Sequence, residues 1–218
     1  MATFTLEKSF NSNPAAMTDK VAGVCRMFGL TAERLESNDV VHRCNIQIND
    51  GDIVYITGPS GAGKSVLLGE LEKQIEPAER INLANIEIPS DKTVIDCIEG
   101  NLLSALRHLS TAGLNDVFCI LNQPSNLSDG QKMRFRLATA MAGRGKYIFA
   151  DEFCSSLDRI TAAVISYNVR KYAAEKKRIF ILASSHDDIL LDLQPDVIVI
   201  KELSGPTKVI YKEFRIKK

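Results

Sequence analysis

Eight consecutive residues constrain this chain more than any others: Gly58, Pro59, Ser60, Gly61, Ala62, Gly63, Lys64 and Ser65. They follow a short apolar run, Ile53-Val54-Tyr55-Ile56, of the kind a strand buried on both faces requires, and they precede Val66, Leu67, Leu68 and Leu71 at helical spacing. The order strand, glycine loop, helix gives the loop its chemistry. Glycines let backbone N–H groups converge on an anion, and the helix that follows directs the positive end of its dipole at the same point. Lys64 adds a point charge for β and γ phosphates, and the Ser65 hydroxyl suits Mg²⁺. The pattern G-x-x-x-x-G-K-[ST] in this setting predicts a site for MgATP built from residues 58 to 65 and continued by Val66.

A phosphate-bound Mg²⁺ needs a carboxylate, and Asp151 stands at the end of a second apolar run, Tyr147-Ile148-Phe149-Ala150. Glu152 comes next, and a carboxylate beside the metal-binding one can polarise an attacking water. Between these segments lies Leu127-Ser128-Asp129-Gly130-Gln131, followed by Met133, Leu137, Ala140 and Met141 at helical spacing. Ser128 is a natural N-cap, and a capped helix start lined with N–H groups is itself a candidate phosphate site.

Leu127 to Gln131 resembles the LSGGQ signature of ATP-binding-cassette (ABC) ATPases, with Asp129 where a glycine is usual. Ser155-Ser156-Leu157-Asp158 is similar to that family's D-loop, and His186, after a third apolar run at 179 to 183, is similar to its switch histidine. These motifs come in the family order, and the resemblance covers about residues 40 to 210. It implies an α/β P-loop NTPase of the ABC type: a mostly parallel central sheet with flanking helices, an antiparallel β subdomain and a reduced helical subdomain. It also implies an ATP-sandwich homodimer, in which the phosphate loop of one subunit faces Ser128, Gly130 and Gln131 of the other. In that frame Lys64, Glu152 and His186 carry catalysis, Ser65 and Asp151 hold the metal, and Asp158 helps couple the two sites. A narrower resemblance, around 151 to 168 and 187 to 199, is to prokaryotic ABC-type ATPases often joined to an acetyltransferase-like domain.

The sequence departs from the transport-type pattern in two places. Residues 81 to 94 hold no glutamine, leaving Glu87 as the nearest candidate for that role, while Gln123 lies only five residues before Ser128. Ser128 follows Lys64 by just 64 residues, which predicts a small helical subdomain. That subdomain forms the groove which receives a membrane subunit in transporters, so these departures favour a soluble, non-transport switch acting on another protein or domain. The alternative is the energy-coupling subunit of a transporter. A P-loop small-molecule kinase is disfavoured by the signature, and a DNA-repair type by the lack of a long coiled coil between the motifs.

Composition narrows the partners. Twenty-seven basic and 27 acidic residues cancel, so no global field draws the chain to nucleic acid or an anionic membrane. No apolar run approaches the roughly 20 residues of a spanning helix, and the N-terminus lacks a secretory pattern, which predicts a cytoplasmic protein. Five cysteines (25, 44, 97, 119 and 154) in no C-x-x-C spacing predict reduced, mostly buried thiols. Residues 1–39 read as an N-terminal extension, with Thr18 capping a short helix, ahead of the ATPase domain at 40–218. The segment 40 to 48 reads as a strand joined hairpin-fashion to Ile53–Thr57, and 196 to 201 as a strand paired with 207 to 211 across Gly205-Pro206. Phe28, Phe4 and Phe10 are candidates to stack on adenine, and His42 and His108 read as structural.

Overall fold

The computed structural model describes residues 1–10, 17–29, 40–203 and 206–212. Its strands are β1 (Ala2–Phe10), β2 (Val40–Ile48), β3 (Ile53–Thr57), β4 (Arg80–Asn82), β5 (Tyr147–Ala150), β6 (Ile179–Ala183), β7 (Val197–Ile200) and β8 (Lys208–Tyr211). Its principal helices are α1 (Asp19–Phe28), α2 (Lys64–Lys73), α3 (Leu102–Thr111), α4 (Val117–Ile120), α5 (Asp129–Ala142), α6 (Arg159–Lys176) and α7 (Leu190–Leu193).

Six strands form the central sheet in the order β4-β5-β6-β3-β7-β8. The five strands from β4 to β7 run parallel, and β8 closes the edge antiparallel to β7. All of β3, β5 and β6 is buried, because helices or a second sheet cover both faces. Alternation along β3 divides its side chains between two cores. Ile53 and Tyr55 join Phe135, Leu137, Ile165 and Val169 of α5 and α6 on one face. Val54 and Ile56 join Leu67, Leu68 and Leu71 of α2 on the other, together with Phe4, Leu6, Ile46 and Ile48.

Those last four residues correct two expectations. β1 pairs antiparallel with β2 along its whole length, from Ala2↔Ile48 to Phe10↔Val40, and makes a sheet of its own. Residues 2–10 are therefore built into the same core as β2 and β3 rather than into an extension ahead of it. The expected hairpin between 40–48 and β3 does not form, since β3 takes β6 and β7 as partners and β2 takes β1. A long-range partner early in the chain outcompetes the local turn, which a sequence-local pattern does not show.

Helix α1 forms as expected: Val21 N–H donates to Thr18 Oγ1, and Gly29 ends the helix at φ 63°. None of its side chains is buried. Residues 30–39, and with them the border expected at 39/40, lie outside the described residues, as does Gly205 of the turn between β7 and β8. The side chains of Phe10 and His42 also lie outside them. All five cysteines are free, but only Cys44 and Cys154 are buried, so the expectation of mostly buried thiols holds for two of them. No helix among the described residues is long and apolar enough to cross a membrane.

Candidate nucleotide-binding and hydrolysis site

β5, β6 and β3 are neighbours and run in the same direction, so their C-terminal ends open on one edge of the sheet. The chain leaves β3 into the glycine loop, β5 into Asp151 and Glu152, and β6 into the loop that bears His186. Ligands of open parallel sheets gather at such carboxyl ends. The structure thus brings to one edge three segments that are far apart in sequence.

In the loop, Gly58 has φ 143°, and a β-carbon there would stand 1.9 Å from the carbonyl oxygen of Lys201 at the end of β7. Only glycine fits so close to a neighbouring backbone. Gly61 (φ 80°) and Gly63 (φ 90°) turn the chain into α2, which starts at Lys64. No side chain caps this helix, so its first N–H groups face the loop. Lys64 is buried, and its ammonium donates to the carbonyls of Gly58 and Pro59 at 2.8 and 3.0 Å. The charge is thereby held over the loop with one of its three donors to spare. Ser65 is exposed at the mouth of the loop, and Val66 is half-buried behind it.

Asp151 and Glu152 are exposed just past the buried end of β5. Asp151 Oδ1 accepts the Glu152 N–H at 3.0 Å. Glu152 has φ 52° and Cys154 φ 62°, left-handed geometries that cost a non-glycine residue energy and cluster at functional turns. Phe153 N–H donates to Ala183 O at 2.9 Å, which locks this turn to the end of β6 beside His186. A serine hydroxyl and a carboxylate are hard oxygen ligands, and with substrate phosphates and water they fit Mg²⁺.

The signature segment is a helix start as expected. Ser128 caps α5 in a reciprocal box: Gln131 N–H donates to Ser128 Oγ at 3.4 Å, and Ser128 N–H donates to Gln131 Oε1 at 2.9 Å. Gln131 Nε2 also reaches Cys119 Sγ at 2.9 Å, tying α4 to this start. Ser128 and Asp129 are exposed, and the hydrogen bonds described for Ser128 run to Gln131, not to the phosphate loop of the same chain. Gly130 packs under Ser156 and Leu157. Asp158 caps α6, accepting from the N–H of Thr161 at 3.0 Å and from its hydroxyl at 2.6 Å. These bonds, the hydroxyl's first, hold its carboxyl below the usual range.

His186 is exposed on a loop whose neighbours were not foreseen from the sequence: Tyr55 O–H donates to His186 O, and Thr57 O–H donates to Asp187 Oδ1. A tyrosine and a threonine inside an otherwise apolar strand were the available signal, since buried hydroxyls need partners. Of the adenine candidates, Phe4 is buried against Tyr147 with ring centroids 6.3 Å apart, which removes it from the surface. Phe28 is exposed at the end of α1. Glu87 is exposed on the irregular segment after β4, and Gln123 is exposed just before the signature. His108 packs edge-on against Tyr172, as a structural residue would.

Comparison with known proteins agrees with this geometry. The ABC transporter family profile matches residues 41–101. An ABC transporter ATP-binding protein of Bacillus subtilis is 26% identical over 205 residues, covering 77% of this chain and 87% of its own. A zinc import ATP-binding protein of Marinobacter nauticus is 25% identical over 188 residues, covering 75% and 69%. A dimeric ATP-binding cassette solved in a post-hydrolysis state with ADP and Pi superposes with a TM-score of 0.64 at 18% identity, over 80% of this chain and 94% of that one. This chain is similar to ABC-type ATPase domains in its motifs, its profile match and its fold.

The named relatives are an ABC transporter ATP-binding protein and a zinc import ATP-binding protein. They favour the energy-coupling alternative over the soluble switch that the missing glutamine and short subdomain had suggested. The narrower kinship to acetyltransferase-joined ATPases draws no support from them.

Proposed function

We propose that this ABC ATPase domain is the energy-coupling subunit of a membrane transporter and that it hydrolyses MgATP in a head-to-tail dimer at the cytoplasmic face. The observation that carries the reading is the apolar surface of the helical subdomain. Leu102 and Leu103 at the start of α3 are 66% and 59% exposed, and Val117, Phe118 and Leu121 around α4 are 61%, 84% and 62% exposed. Large apolar side chains left exposed on two short helices between the phosphate loop and the signature segment suit contact with another protein. The relatives that work in import support the same direction.

The chain's own residues divide the chemistry as follows. Lys64 and the N–H groups at the start of α2 bind and orient the β and γ phosphates. Ser65 and Asp151 would hold Mg²⁺, which would supply positive charge against the phosphate oxygens. Glu152, set apart from Asp151 by its left-handed backbone, orients water or takes its proton. His186 meets the γ-phosphate from the next strand end. Ser128, Gly130 and Gln131 are exposed or half-exposed where a second subunit's nucleotide can reach them, and Asp158 stands beside them at the head of α6.

Isolation of the tagged Glu152→Gln chain from detergent-solubilised membranes tests this function. A polytopic membrane protein in stoichiometric amount is the expected partner. A soluble partner alone, with no membrane protein, would overturn the transporter reading in favour of the switch, which the absence of glutamine from 81 to 94 supports.

A further inference from the structure

The hydrogen-bonded ladder between β3 and β6 ends at Ile56↔Ala183, with one further bond from Ser184 N–H to Ile56 O at 3.1 Å. Beyond it the His186 loop has left the sheet, and side chains take over from the ladder. Tyr55 is fully buried and Thr57 is 6% exposed, both in β3, the strand that ends in the phosphate loop. Tyr55 O–H donates to the backbone carbonyl of His186 at 2.5 Å. Thr57 O–H donates to Asp187 Oδ1 at 2.6 Å. Within the loop, His186 N–H donates to Ser184 Oγ at 3.2 Å, and Ser184 is itself buried. The backbone of His186 is thus held on both sides while its imidazole stays at the surface.

We propose that Tyr55 and Thr57 are positioning residues of the ATPase reaction: they set the distance between His186 and the phosphate loop from the strand that carries that loop. The proposal rests on His186 as the γ-phosphate contact. A hydroxyl gives these bonds what an apolar residue in the same strand would not, a directional hold on a loop that has no ladder partner. Burial pushes the Tyr55 phenol up to about 12, so its hydroxyl remains a donor at every working pH. Misplacing a contact to the reacting phosphate costs turnover more than it costs ground-state binding, because the geometry matters most in the transition state.

The test compares Tyr55→Phe, Thr57→Val and Thr57→Ser in the full chain, alone and combined with His186→Ala. Each of the first two removes a hydroxyl and keeps the buried volume, and thermal melting confirms that they fold. Loss of one such bond in the transition state lowers kcat about tenfold. MgATP affinity by calorimetry, in contrast, stays within about twofold, since Lys64 and the loop are untouched. Thr57→Ser restores most of the rate. In the His186→Ala background, Tyr55→Phe causes no further loss, which a purely structural role does not predict. Parental turnover in both Tyr55→Phe and Thr57→Val, with His186→Ala slow, would overturn the positioning role alone, and so would losses that add in full to that of His186→Ala. Parental turnover in His186→Ala itself would remove the histidine assignment and this proposal with it.

Discussion

A β-carbon at Gly130 would stand 3.0 Å from Cδ2 of Leu157 and 3.1 Å from the carbonyl of Ser156, so the signature helix and the D-loop are in direct contact within one subunit. Whatever Ser128 touches across a dimer is thereby linked to the turn that follows Glu152, through a contact with no slack. Gly130→Ala forces its neighbours apart by a few tenths of an ångström. We expect a stability loss of about 1 kcal/mol, unchanged MgATP affinity in the monomer, and turnover reduced by about tenfold. Calorimetry and steady-state hydrolysis separate these effects. Parental turnover would show that the contact carries nothing between the two motifs.

Lys64 has no carboxylate partner among its described bonds; its ammonium rests on two loop carbonyls at 2.8 and 3.0 Å. Lys64→Ala should therefore cost the fold little and the ligand much. We expect melting within a few degrees of the parent and MgATP affinity lower by about a hundredfold, the worth of a lost charge-assisted contact to phosphate. Unchanged affinity in calorimetry would remove the loop's assignment.

The site was more legible in the sequence than the sheet around it. Gly58 to Ser65, Asp151 and Ser128 announce themselves because phosphate and metal chemistry demand particular residues at fixed local spacing, and the buried runs of β5 and β6 are local patterns as well. β1 was not recognised, because its partner lies some forty residues downstream and nothing local names it. Tyr55 and Thr57 were visible as residues but not as partners of the His186 loop, since a contact between positions 55 and 186 exists only once β3 and β6 are neighbours. Asp158 shows a different limit. Its motif suggested a role between subunits, and in one chain both carboxylate oxygens are engaged by Thr161 as a helix cap.

Two ion pairs of similar length should differ in worth. Arg170 Nη1 lies 2.6 Å from Asp196 Oδ2, with side chains 26% and 14% exposed, and the same oxygen accepts the N–H of Ile53 at the start of β3. Lys146 and Asp50 meet at 2.8 Å with side chains 41% and 57% exposed. Solvent screens the second pair and leaves it under about 1 kcal/mol, whereas Arg170→Ala leaves a half-buried carboxylate short of a donor and should cost about 2 kcal/mol. Urea unfolding of Arg170→Ala and Lys146→Ala measures the difference, and equal losses would contradict it.

Glu152 is exposed and held in a left-handed turn one residue beyond Asp151, and the proposed function gives it the work on water. Glu152→Gln keeps the shape and removes the base. It should bind MgATP with parental affinity, lose turnover by at least about a hundredfold, and accumulate as a dimer when MgATP is present. Light scattering after size exclusion detects that dimer. Hydrolysis at the parental rate would assign the water to another residue.

The proposed head-to-tail arrangement makes a prediction that neither subunit can satisfy alone. Ser128 is exposed on a capped helix start, and in the proposed dimer it meets the phosphate bound by another copy of the chain. Ser128→Arg adds bulk and charge there without touching Lys64, and the variant should bind nucleotide as a monomer yet fail to dimerise on MgATP. Lys64→Ala should fail for the opposite reason, having lost the nucleotide itself. A dimer of one Lys64→Ala chain and one Ser128→Arg chain joins the sound phosphate loop of the second to the sound signature of the first, giving one intact composite site and one doubly damaged site. Mixing the two inactive variants at high concentration should therefore restore part of the parental hydrolysis, with a rate that rises with the concentration of each. If the mixture stays as inactive as its components while each variant remains folded, ATP is not shared between subunits in this way.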